Sequence, residues 1–117
     1  MCDRANDRIQ VFRRDGTFVQ EWFYETATLG NGSVWGLAFW PDARQTFLLN
    51  ADGENNEVRI LRREDGVVVV AFGRSGRQAG QFHWVHNLLV DRSGNLFTTE
   101  VDNAHRVQRF MPVGTRP

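Results

Sequence analysis

The chain contains no lysine: its 14 basic residues are all arginine, and 14 acidic residues balance them. A net charge of zero removes the basic field that holds nucleic acid or an anionic membrane surface, so neither is an expected partner. The arginine bias fits genome composition better than a general need for planar, bidentate contacts. A single cysteine, Cys2, allows no internal disulfide, and cysteine usage therefore says nothing about redox compartment. No apolar run approaches the ~20 residues that a spanning helix needs, and no secretory leader is recognisable. The compartment stays open, a secreted or periplasmic parent being compatible with the sequence. Sustained apolar spacing of three and four is also missing, so amphipathic helices are not expected. At 117 residues, one domain with a modest core is the default.

What the chain does have is repetition. Ile9, Val58 and Val107 lie 49 positions apart (58 − 9 and 107 − 58), as do Trp35 and Trp84, and Asp42 and Asp91. Asp3-x-x-Asn6-x-x-Ile9-x-x-Phe12 returns as Asp52-x-x-Asn55-x-x-Val58-x-x-Leu61. A third copy, Val101-x-x-Ala104-x-x-Val107-x-x-Phe110, keeps the apolar positions and loses the Asp and Asn. Self-similarity at a period of ~40–50 residues, carried by short strands, points to propeller blades. Such a unit cannot bury its faces alone, so copy number decides whether it is stable.

Nine strands are expected: 8–13, 17–23, 35–40, 46–50, 57–62, 67–72, 85–90, 96–100 and 106–111, separated by turn formers such as Asp15-Gly16 and Asp91-Arg92-Ser93-Gly94-Asn95. The fold class is all-β, a partial propeller of four-stranded antiparallel blades. Residues 1–25 form the end of a blade, 33–73 a complete blade, and 82–112 three strands of a last blade. By the 49-residue step Met1 corresponds to Asn50, at a strand's end, which leads to the expectation that it is an internal start within a longer reading frame.

Gly73-Arg74-Ser75-Gly76-Arg77-Gln78-Ala79-Gly80-Gln81-Phe82, followed by Val90-Asp91-Arg92-Ser93-Gly94-Asn95-Leu96-Phe97, resembles the NHL repeat. So does the run from Asp3-Arg4-Ala5-Asn6 through Arg8-Ile9-Gln10-Val11-Phe12 to Asp15-Gly16. The resemblance implies about two and a half blades of a six-bladed ring. Within that group the chain is most similar to the peptidyl-α-hydroxyglycine α-amidating lyase-like proteins. These hold a central zinc with three histidines from different blades. The likeness implies that His86, in Phe82-His83-Trp84-Val85-His86-Asn87, is a zinc ligand of an intact parent. It likewise implies that Arg4, after Asp3, is a catalytic residue that anchors substrate or stabilises charge. The family's proline and acidic residue around that histidine are Val85 and Asn87 here, the 49-residue counterpart of His86 is Leu37, and Tyr24, in a linker, matches no catalytic tyrosine.

Each residue also has a plainer reading. His86 interrupts an apolar strand and fits a buried, hydrogen-bonded imidazole as well as a ligand. Arg4 fits a salt bridge with Asp3 as well as a carboxylate contact. Asp3, Asn6, Asp52 and Asn55 fit side-chain caps of tight loops better than calcium ligands. His83 reads as a loop residue and His105 as an exposed turn residue. The tryptophans and phenylalanines read as packing between blades, with base stacking the weaker alternative.

Two functions follow as expectations. The first is the C-terminal part of a zinc-dependent lyase-like propeller; zinc belongs to the intact parent, and the fragment alone is inactive and metal-free. The second is a non-catalytic NHL scaffold that binds a peptide, a protein or another ligand through its loops. Partners beyond a ligand are the missing blades, or further copies joined through open strand edges, three copies approximating a ring.

Overall fold

The computed structural model describes residues 1–113. Ten strands and two 3₁₀ turns make up the regular structure of these residues, with no α-helix among them. Strands β1 (Cys2–Asp3), β2 (Arg8–Phe12) and β3 (Phe18–Phe23) form a first antiparallel sheet. Strands β4 (Gly36–Phe39), β5 (Phe47–Asp52), β6 (Glu57–Arg62) and β7 (Val68–Phe72) form a second, paired in chain order. Strands β8 (Val85–Val90), β9 (Leu96–Glu100) and β10 (Arg106–Phe110) form a third. The fold is all-β, three antiparallel meanders stacked as in part of a propeller. All nine expected strands are present within two residues at either end, and β1 is the additional one.

Alternation along the strands explains the stacking. In the second sheet Leu48 and Leu61 face one way, and Leu49, Ala51 and Val58 the other; all five are buried. Leu48 and Leu61 pack with Ile9, Tyr24, Val34, Trp22 and Leu37, the core between the first and second sheets. Leu49, Ala51 and Val58 pack with Phe82, Val85, Leu88, Val90 and Leu96, the core between the second and third. Each sheet thus has a leading face, turned to the sheet before it, and a trailing face, turned to the sheet after it. Among the described residues only the second sheet has both covered.

The third repeat departs from a constant step in two places. A bulge in β8 between Val85 and Asn87 inserts His86. The connection from β9 to β10 is one residue longer, so Glu100 stands where Asp3 and Asp52 stand in the earlier repeats. All three carboxylates take an arginine of the next strand: Asp3 with Arg8, Asp52 with Arg59, Glu100 with Arg106. The Asp that the sequence pattern loses at Val101 is replaced by Glu100, one residue earlier.

Candidate functional site

Arg4 and His86, distant in sequence, meet on one side chain. Trp35 sits just before β4, the first strand of its sheet. Its indole Nε1 donates to the Gly32 carbonyl at 2.7 Å. A Cβ on Gly53 would lie 2.5 Å from the Trp35 ring, so the backbone of the loop after β5 supports that ring. The Arg4 guanidinium carbon stands 4.0 Å from a Trp35 ring centre, a cation–π contact, and its Nε donates to the Asn31 carbonyl at 3.0 Å. The His86 ring meets Trp35 edge to face, with centroids 5.6 Å apart.

The bulge decides where His86 points. Counting back from Glu100, Thr98 lies opposite Leu88 as Asn50 lies opposite Leu37. Leu88, not His86, therefore takes the place of Leu37 in the sheet. His86 is exposed, which replaces the expectation of a buried imidazole in an apolar strand. Arg4 makes no salt bridge with Asp3; the Asp3 carboxylate takes Arg8 at 2.6 Å and Asn6 at 3.0 Å. The pairs Asp3–Asn6 and Asp52–Asn55 are loop caps, with the Asn55 N–H donating to Asp52 Oδ1 at 2.9 Å.

Trp84 extends the cluster. Its ring lies 6.0 Å from Trp35 and stacks on His83, and its backbone N–H donates to Asn56 Oδ1 at 2.8 Å. It holds φ at 51°, a left-handed conformation costly for so large a residue. The Nε2 of His83 lies 3.4 Å from the Asp102 carboxylate. His105 is exposed beyond that turn. Neither pattern nor spacing marked Trp35 as the common neighbour, because its period matched that of core tryptophans.

A catalytic zinc takes three protein ligands and keeps one open position. Among the described residues no three His, Cys, Asp or Glu side chains stand close enough to hold a metal ion. His86 borders an indole and His83 is stacked and near Asp102, so the residues present do not fit zinc by themselves.

A concavity of about 840 Å³ opens between the first and second sheets. Ile9, Trp22, Leu37 and Leu48 line its floor, with Arg44 and Arg62 at the rim. No helix among the described residues is long and apolar enough to cross a membrane. No known protein family matches the chain, and no curated protein matches it.

Proposed function

We propose that the chain is a segment of an NHL-type propeller that works as a non-catalytic binding scaffold, its contact surface the cluster of Arg4, Trp35 and His86. The observation that carries this reading is the Arg4 guanidinium. Its face is covered by Trp35 and its Nε is committed to Asn31, while its terminal nitrogens have no hydrogen-bond partner among the described residues. A planar fork held in this way is pre-organised for bidentate contact with a carboxylate. The ligand class is a peptide or protein segment that presents one.

Tryptophan fluorescence tests it, because Trp35 lies under the contact. A peptide with a free C-terminal carboxylate should give a saturable change, and its C-terminal amide should not. Arg4→Gln should weaken binding roughly 10- to 100-fold, the loss of a charge-assisted pair. An equal response to acid and amide, or an Arg4→Gln variant that binds as tightly, would overturn the reading.

The same convergence favours a second reading. The resemblance to the amidating lyase-like group assigns Arg4 and His86 to one site, and the two share a neighbour. In that reading a longer protein supplies further imidazoles, and Arg4 orients the carboxylate of a peptidyl-α-hydroxyglycine. The 117-residue chain alone should hold no stoichiometric zinc by elemental analysis and release no glyoxylate from such a substrate. Stoichiometric metal together with turnover would reverse the order of the two readings.

A further inference from the structure

The trailing face of the third sheet is the structural counterpart of a core face, yet no described residue covers it. Leu89 pairs with Phe97 as Ala38 pairs with Leu49. Val107 stands in β10 where Val58 stands in β6. Leu49 and Val58 are 1% and 0% exposed, whereas Leu89 and Val107 are 63% and 66% exposed. The leading face of the first sheet has the same history. Phe12 stands in β2 where the buried Leu61 stands in β6, and Phe12, Phe18 and Phe23 are all exposed on that side. The Phe12 and Phe18 rings touch edge to face at 5.7 Å.

We infer that two copies of this chain associate head to tail, the trailing face of the third sheet in each seating on the leading face of the first sheet in the other. The occupant follows from the two interfaces already inside the chain, both of which join a trailing face to a leading face. A second copy offers the same pairing again: Leu89, Phe97 and Val107 against Phe12 and Phe23. Heterologous contacts of this kind close into a ring or grow without limit, according to geometry. Propellers close with about four to eight blades. Three sheets fall short of that range, two copies give six, and three copies would exceed it. The inference rests on the stacking of the sheets and is independent of the ligand at Arg4.

Sedimentation velocity on the 117-residue chain tests it. The expected species has about twice the 13.5 kDa monomer mass and does not grow on concentration. Val107→Glu and Phe12→Glu each place a charge in every junction and should raise the dimer dissociation constant at least roughly 100-fold. Both positions are exposed within one chain, so the monomer fold should persist, as read by circular dichroism. An equimolar mixture of the two variants should recover a dimer, since one unaltered junction can still form. A monomeric wild type, assemblies that grow with concentration, a dimer indifferent to both substitutions, or no recovery on mixing would each overturn the inference. Failure here leaves the fluorescence test of the Arg4 contact standing, and the converse holds too.

Discussion

Tyr24 is the chain's one tyrosine, and its surroundings set a measurable property. The side chain is buried against Ile9, Val34 and Leu61, and its hydroxyl donates to the Gly66 carbonyl at 2.6 Å. Burial disfavours the phenolate and pushes the group up to about 12, from an ordinary value of 10.0. Between those values the folded chain keeps a proton that the unfolded chain releases. This contribution to stability is therefore complete below pH 10 and is lost as pH rises towards 12. Phenolate absorbance followed through an alkaline titration should show a midpoint near 12 for the folded protein. A midpoint at the ordinary value would mean that Tyr24 is open to solvent. The sequence left Tyr24 in a linker because it matches no repeat position; its burial comes from packing that a one-dimensional pattern does not encode. Arg4 and His86 were legible as candidates, but Trp35 between them was not, since contact across 51 positions of chain carries no local signal.

At the scale of strands and turns, the carboxylate–arginine pairs are the recurring device. Glu100 carries the pair of the third sheet: Arg106 Nε donates to it at 2.7 Å, the His83 backbone N–H at 2.8 Å and Gln108 Nε2 at 3.0 Å. Burial by itself would raise this carboxyl, but the donors prevail and hold it below the usual 4.5. The sign then follows. Its contribution is complete above pH 4.5 and is lost as pH falls through the lowered value. Glu100→Gln should cost about 1–3 kcal/mol near neutral pH, the order of a hydrogen bond to a charged group. It should also flatten the acid limb of a plot of unfolding free energy against pH. An acid limb as steep as that of the wild type would assign the dependence to other carboxylates. Thr98, two residues earlier on the same face, has a buried hydroxyl without a partner among the described residues. Strand positions were legible because period-two alternation and turn residues are local. The bulge at His86 and the longer turn after β9 were not, because a one-residue insertion leaves the overall spacing nearly unchanged while it alters which side chain faces the core.

For the molecule as a whole, the repeat pointed to the architecture, a stack of three antiparallel sheets. In a slab of 41 × 41 × 23 Å, the described residues cover only one sheet on both sides. The aromatic residues that the sequence assigned to packing divide accordingly: Phe72, Phe82 and Phe110 meet inside, at centroid distances of 5.4–6.2 Å, while Phe12 and Phe23 stand outside. Periodicity finds positions suited to burial, but it does not say whether a neighbour exists to bury them. The spacing between neighbouring sheets is also fixed at one small residue. A Cβ on Gly36 would lie 2.9 Å from the His86 carbonyl oxygen and 3.1 Å from the Asn87 Cα, so β4 and β8 approach there as closely as backbone allows. Even a methyl group at that point would act as a shim, prying β4 and β8 apart. The distance between the second and third sheets is thus held by the absence of one side chain.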